Sequence, residues 1–309
     1  MRLGIDLGGT TVGIGIVDDR YQLLHSRSYP TAGIQDPNQL VKRIKEGIED
    51  VVNTAGFSWD DISFIGMGCP GEVDPDRGVG VHADNLAVEN TPFKRIFSEQ
   101  YRKTVQIDND ANCAAWGEHI AGASRSYQNI VTVTLGTGIG GGVILDGKLL
   151  RGNENHAGEV GHMVVDIHGK KCGCGRIGCW ETVASTRALI QDVEHSAGLH
   201  PESVLSDLIR KNGGHANGHT LFQALEEKDE AAQEVFNRWI CSLEIGMWNI
   251  INVFRPEMIV LSGGISNQGD TIILPLREAV GSCSTIICAG QLGGNAGLIG
   301  AAVLNVANP

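Results

Sequence analysis

Apolar residues in this chain come in short blocks, and their spacing predicts which blocks are strand and which are helix. Residues 3–5 form an apolar run that stops at Asp6-Leu-Gly8-Gly9-Thr10-Thr11. Residues 12–17 leave that turn as a second run, and Asp18-Asp19-Arg20 turns again into 21–29. Short β-branched runs separated by Gly and Asp predict three strands in a meander over 2–29. Asp36-Pro37 then offers an N-cap and a first-turn proline. Leu40, Val41, Ile44, Ile48, Val51 and Val52 recur at helical spacing, which predicts an amphipathic helix over 37–55. Residues 62–67 are predicted as a strand ending at Gly68-Cys69-Pro70-Gly71. Beyond a loop, Thr91-Pro92 opens a helix, 105–107 is a strand and 111–121 a helix.

The pattern then starts again. Residues 130–135 are predicted as a strand, Gly136-Thr137-Gly138-Ile139-Gly140-Gly141 as a turn, and 142–145 as a strand closing at Asp146-Gly147. Setting Leu7-Gly8 on Leu135-Gly136 also aligns Gly13 with Gly141, Ile16 with Ile144 and Asp18 with Asp146. Both copies read strand, glycine turn, strand, acidic turn. After several helices, one of them long and ending near Phe254, come a strand at 258–261, a turn at Ser262-Gly263-Gly264, a strand near Ile286 and a last helix. Two α/β units with a cleft between them are expected: a small lobe over 1–111 joined by a C-terminal helix over 297–309, and a large lobe over 112–296.

Composition narrows the function. The net charge is -12, from 24 basic and 36 acidic residues, and no Lys/Arg-rich run is present. Nucleic acid and anionic membrane are therefore not expected as partners. No apolar run reaches membrane-spanning length, and no signal peptide is read at the start. A cytoplasmic protein with reduced thiols is expected, which turns its 8 cysteines from disulfide candidates into metal or packing candidates.

Three of the cysteines cluster with a histidine. His162, Cys172, Cys174 and Cys179 fall within eighteen residues, with Glu159 and Glu181 at the ends of the stretch. Three thiolates and an imidazole can close a tetrahedral zinc site with no open position, so a structural metal is expected. The competing possibility, that these are small buried thiols, fits poorly with a Cys-x-Cys pair set among glycines. Three glycine turns each follow a predicted strand: Gly8-Gly9-Thr10-Thr11, Gly136-Thr137-Gly138 and Gly263-Gly264. Glycine lets successive backbone N–H groups approach an anion, so these turns are candidate phosphate sites. Gly136-x-Gly138-x-x-Gly141 satisfies a dinucleotide fingerprint, but that motif requires a helix next and the sequence continues as a strand. Gly142-x4-Gly147-Lys148 resembles a P-loop, yet Leu149 stands where a magnesium-binding hydroxyl is needed. Both are rejected. Asp108-Asn109-Asp110-Ala111-Asn112 lies where a strand gives way to a helix. One of these polar side chains can cap the helix, and a carboxylate there stays ionised and can accept a hydroxyl proton.

Together, Asp6-x-Gly8-Gly9-Thr10, Asn109-Asp110, Gly136-Thr137-Gly138, Glu159-x-x-His162 and Cys172-x-Cys174-x4-Cys179-x-Glu181 resemble the ROK family of bacterial sugar kinases. The order and spacing match from residue 3 to about 302. Met67-Gly-Cys-Pro70-Gly71, Ala157 to His162 and Leu292 to Gly297 are most similar to its ATP-dependent glucokinases. The resemblance implies the actin-like ATPase fold of the sugar kinase superfamily, with two ribonuclease-H-like lobes and a central cleft. It implies transfer of the ATP γ-phosphate to the 6-hydroxyl of glucose. Asp110 would be the base, and Gly71, Asn109, Glu159, His162 and Glu181 would bind the sugar. His162 would also ligate structural Zn2+ with Cys172, Cys174 and Cys179. Gly8, Gly9, Thr10, Thr11, Gly136, Thr137 and Gly138 would hold the ATP phosphates, with Gly263 and Gly264 near adenosine and Asp6 organising Mg2+ through water. A homodimer or homotetramer is implied. The chain departs from the glucokinase pattern at Ala87-Val88 after Asn85-Leu86, at Asp108 in place of Glu, and at Trp180 in place of a smaller aliphatic.

Two other functions remain compatible with the resemblance. The acceptor could be N-acetylmannosamine, fructose, mannose or allose, or the chain could be a sugar sensor without catalysis. The family's repressors carry a DNA-binding domain ahead of the first phosphate turn; with Asp6 as the sixth residue, that activity is not expected.

Overall fold

The structure, a computed structural model, describes residues 1–83, 86–281 and 283–307. Asn85 lies outside the described residues. The opening meander is β1 (Arg2–Leu7), β2 (Thr11–Val17) and β3 (Leu23–Pro30). β1 and β2 pair antiparallel from Arg2↔Val17 to Leu7↔Val12. Next comes α1 (Pro37–Thr54), whose first turn is capped by Asp36 accepting from the Asn38 N–H at 3.0 Å. Its periodic residues Leu40, Ile44, Ile48, Val51 and Val52 are all buried against the meander.

β4 (Phe64–Cys69) follows and lies parallel to β1. The stretch expected to be a loop is instead a small antiparallel sheet of β5 (Glu72–Asp74), β6 (Val79–Ala83) and β7 (Val88–Thr91). These strands are too short to show a period, and Gly78 and Gly80 sit where the chain packs on Lys94 and Phe93. α2 (Phe93–Tyr101) leads to β8 (Thr104–Asn109), parallel to β4, and then α3 (Asp110–Ala121).

The second set begins with β9 (Ile130–Leu135), β10 (Ile139–Leu145) and β11 (Lys148–Leu149). A shift of 128 residues carries β1 onto β9 and β2 onto β10 end for end (2 to 130, 7 to 135, 11 to 139, 17 to 145). Helices α4 (Glu181–Ala184), α5 (Thr186–Leu199), α6 (Val204–Lys211), α7 (Thr220–Glu226) and α8 (Glu230–Phe254) come before β12 (Met258–Ser262). α9 (Asp270–Val280), β13 (Ile286–Ala289) and α10 (Ala296–Ala302) complete the chain. The two five-stranded sheets have orders β3-β2-β1-β4-β8 and β11-β10-β9-β12-β13. The second repeats the first strand for strand, which is the duplication inferred from the aligned glycine turns.

The chain divides into two compact units: 1–132 with 141–158 and 290–309, and 133–140 with 159–289. Residues 112–132, 141–158 and 290–296 thus group with the first unit, whereas the sequence suggested the second. The reason for 112–132 is close helix packing. A Cβ on Gly300 would lie 1.7 Å from the Cys113 carbonyl oxygen, so glycine lets α10 lie directly on α3. α10 also lies on the first sheet, where a Cβ on Gly66 would be 1.7 Å from the Ala301 oxygen. The terminal helix, expected over 297–309, spans only Ala296–Ala302. Its buried face ends at Val303, and polar Asn305 follows. Among the described residues, no helix is long and apolar enough to cross a membrane.

Candidate active site and metal centre

In the first unit, the β1–β2 turn is closed by the Gly8 N–H donating to the Thr11 oxygen at 2.9 Å. The Thr10 carbonyl accepts from the N–H groups of Thr31 (2.9 Å) and Ala32 (3.2 Å), which ties the turn to the segment after β3. Gly9, Thr10 and Thr11 are left exposed. Asp6 lies near the end of β1. Burial, and secondarily the Asp110 carboxylate, push its carboxyl up to about 7. Gly297 closes over it: a Cβ there would be 2.7 Å from Asp6 Oδ2.

The three polar residues at the β8–α3 junction divide the work. Asn109 is the cap, its Oδ1 accepting from the N–H groups of Ala111 (2.9 Å) and Asn112 (3.2 Å). Its Nδ2 donates to the Gly71 carbonyl at 3.3 Å. Gly71 has φ +76°, and a Cβ would be 2.2 Å from the His82 oxygen, so only glycine holds that carbonyl there. Asp108 is buried and held by Asn112 Nδ2 (2.9 Å) and by two nitrogens of Arg151. Asp110 is half-buried in the first turn of α3, where the helix dipole favours the carboxylate.

In the second unit, the Gly136 N–H donates to the Gly138 oxygen at 3.0 Å, and the Gly136 carbonyl accepts from the Thr186 N–H at 3.0 Å. Ile139–Leu145 is a strand, as the rejection of the dinucleotide and P-loop motifs requires. Gly263 has φ +95°, and a Cβ would lie 2.4 Å from the Leu135 oxygen. That close approach brings Gly263-Gly264 beside the end of β9, where the Gly136 turn starts.

The cysteine loop offers one donor atom each from His162, Cys172, Cys174 and Cys179, all within 4.8 Å of one another. The sulfurs of Cys174 and Cys179 are 3.6 Å apart, and Cys172 Sγ is 3.6 Å from His162 Nδ1. Around zinc, tetrahedral edges are about 3.8 Å between two sulfurs and about 3.6 Å between sulfur and nitrogen. The donor set suits that ion in kind, and these two pairs match its spacing. Arg176 donates to Cys174 Sγ at 3.5 Å and holds that thiol down at about 6, favouring the ligating thiolate.

Three of the expected sugar residues, Glu159, His162 and Glu181, lie at this cluster. His162 Nε2 is 3.9 Å from Glu159, and its Nδ1, on the cysteine side, is 3.8 Å from Glu181. Glu181 Oε1 accepts from Cys172 Sγ at 2.9 Å, and Oε2 accepts from the Ile139 N–H at 3.4 Å. A Cβ on Gly138 would be 2.4 Å from Glu181 Oε2. Glu181 therefore joins the cysteine loop to the Gly136–Gly138 turn, and a cavity of about 140 Å³ is lined by Thr137, Cys172 and Glu181 together with Lys170, Lys171 and Arg187.

The expected residues fall into two groups. Asp6, Gly8 to Thr11, Gly71, Asn109 and Asp110 belong to the first unit, and Gly136 to Gly138, Glu159, His162, the cysteines, Glu181, Gly263 and Gly264 to the second. Sequence reasoning did not find Arg151, and it named Gly297 only as the end of a family motif and not as a neighbour of Asp6. Arg151 lies in a loop 43 residues from Asp108, and no local sequence pattern pairs the two.

The chain is 32% identical over 314 residues to the glucokinase of Streptomyces coelicolor, covering 98% of this chain and 97% of that protein. It is 34% identical over 278 residues to the glucokinase of Halalkalibacterium halodurans, covering 89% and 84%. Among solved structures, a ROK family glucokinase from Streptomyces griseus in complex with glucose and AMPPNP superposes with a TM-score of 0.87 at 32% identity, covering 98% of both chains. The ROK family's sequence profile matches residues 2–307. With the doubled strand order, these matches give the chain the actin-like ATPase fold, and it belongs to the ROK family.

Proposed function

We propose that this chain transfers the γ-phosphoryl group of ATP to the 6-hydroxyl of glucose. The observation that carries the proposal is Asp110, a half-buried carboxylate in the first turn of α3, in the same unit as Asp6 and the Gly8–Thr11 turn. Phosphoryl transfer proceeds through a loose transition state, so placement and charge neutralisation matter more than base strength. Asp110 accepts the proton of the attacking hydroxyl, and Asn109, already fixed by its capping bonds, donates to the neighbouring hydroxyl. Glu159, His162 and Glu181 take the remaining ring hydroxyls. A polar partner that the bound sugar covers and leaves unpaired costs about 1–3 kcal/mol, which is how hydroxyl stereochemistry is discriminated.

The amides of Gly8 to Thr11 and Gly136 to Gly138 receive the phosphates, and Gly263-Gly264 lies near adenosine. Asp6 suits the magnesium that accompanies ATP, because a buried carboxylate beside a second one gains most from a nearby cation. His162, Cys172, Cys174 and Cys179 hold zinc, which supplies rigidity to the loop and no chemistry. His162 serves both: Nδ1 faces the metal ligands and Nε2 faces Glu159.

Glucose as acceptor is supported by the two glucokinases and by the glucose complex; the family also holds an N-acetyl-D-glucosamine kinase and xylose repressors. A coupled ADP-release assay across a hexose panel tests the choice. Greatest kcat/KM on N-acetylmannosamine, fructose, mannose or allose would replace glucose, and release with none of them would favour a sugar sensor.

A further inference from the structure

Asp108 and Arg151 form an ion pair to which the proposed transfer has so far assigned no part. Asp108 immediately precedes Asn109 and Asp110, and it is only 2% exposed. Its Oδ2 accepts from Arg151 Nε at 2.9 Å and Nη2 at 2.6 Å. Its Oδ1 accepts from the Asn109 N–H at 2.8 Å and from Asn112 Nδ2 at 2.9 Å. Four donors around one buried carboxylate leave it a single orientation, and the guanidinium fork contributes the two that come from outside the β8–α3 junction.

The other end of the pair is equally constrained. Arg151 opens the segment 151–158, and its carbonyl accepts from the Ala157 N–H at 2.9 Å, closing the segment on itself. Within it, Gly152, Glu154, Asn155 and Gly158 have φ of +68°, +54°, +63° and +90°. Two of these are not glycine, and such conformations persist only where the surroundings hold them. The next residue in the chain is Glu159. One ion pair therefore anchors both the start of α3, with Asn109 and Asp110, and the loop that leads into Glu159.

We propose that Arg151 is a positioning residue for phosphoryl transfer: acting through Asp108, it fixes Asn109 and Asp110 and anchors the 151–158 loop. The proposal rests on the reading of Asp110 as the base. Arginine is required rather than a cation in general, because an ammonium is a point charge and cannot make the two-pronged contact.

The test compares Arg151→Gln, Arg151→Lys, Asp108→Asn and the Arg151→Gln/Asp108→Asn double variant with the wild-type protein. Displacement of reacting groups by about 1 Å costs on the order of 100-fold. Arg151→Gln should therefore lower kcat/KM for the hexose by about 10- to 100-fold, while KM for ATP stays within about twofold. Arg151→Lys, which keeps the charge and is the variant more secure in folding, should recover only part of the loss. The double variant should be no worse than the poorer single one, since both remove the same link. Hydrogen exchange read on the same proteins should show faster amide exchange across 151–158 and at the start of α3. Unchanged hexose kinetics in a folded Arg151→Gln protein would overturn the proposal, and so would an equal rise in KM for ATP. If the wild-type protein phosphorylates no hexose, the kinase reading fails on its own. The exchange data then decide the anchor: unchanged exchange at 151–158 overturns it.

Discussion

Trp180 stands between Cys179, in the His/Cys cluster, and Glu181, and its ring is accommodated by a glycine in the middle of a helix. Gly246 lies within α8, and a Cβ there would be 2.0 Å from Trp180 Cε2 and 2.3 Å from two further ring atoms. Glycine inside a helix costs about 1 kcal/mol relative to alanine, so a close neighbour is needed to explain it. The fully buried indole also donates its N–H to the Ser242 oxygen at 2.7 Å, one helical turn before Gly246. Trp180→Ala removes this filling and should cost about 3–5 kcal/mol. Gly246→Ala alone overpacks the site by about 1–3 kcal/mol and regains about 1 kcal/mol of helix propensity. With Trp180 gone the overlap disappears and only the gain remains, so the double variant should be more stable than Trp180→Ala by about 1 kcal/mol. The predicted coupling is about 1–3 kcal/mol, measurable by urea unfolding of metal-loaded protein followed by far-UV circular dichroism. Effects that add within about 0.5 kcal/mol would refute the packing argument.

Other consequences are testable on the same protein. Asp110→Asn should lower kcat by about 100-fold or more while hexose binding by calorimetry persists. Stripping the metal, or Cys174→Ser, should abolish bound zinc in metal analysis and raise hexose KM far more than ATP KM, since the loop carries Glu159, His162 and Glu181. Gly138→Ala pushes a methyl into Glu181 Oε2, so it should raise KM for both hexose and ATP, seen in steady-state kinetics. Asp6 gives a pH dependence. Its folded value of about 7 lies above the ordinary 3.8, so its contribution to stability is full below 3.8 and is lost as pH rises through 7. In metal-free buffer Asp6→Asn should therefore stabilise the fold at pH 8 by up to about 4 kcal/mol, and by about 2 kcal/mol less at pH 5.5, while impairing catalysis.

Much of this was legible before any coordinates. The duplication showed in the sequence because glycine turns tolerate few substitutions, so Leu7-Gly8 and Leu135-Gly136 still mark equivalent strand ends. α1 was legible from its cap and its apolar period. The cysteine cluster was legible because side chains that meet within one loop are close in sequence. What escaped was set by contacts distant in sequence. The β5–β7 sheet has strands of three to five residues, too short for a period. The partition of α3 with the first unit depends on Gly300 meeting Cys113. Arg151 is 43 residues from Asp108, and Gly246 explains Trp180 only once α8 is folded against it.

Phosphoryl transfer to glucose is tested most directly by the identity of its product. Purified protein incubated with ATP, magnesium and glucose should yield ADP and glucose 6-phosphate in equal amounts, with the phosphate on the 6-oxygen by phosphorus NMR. The Asp110→Asn protein should yield almost none over the same period. Absence of a sugar phosphate from the wild-type protein, or equal yields from both proteins, would contradict the account.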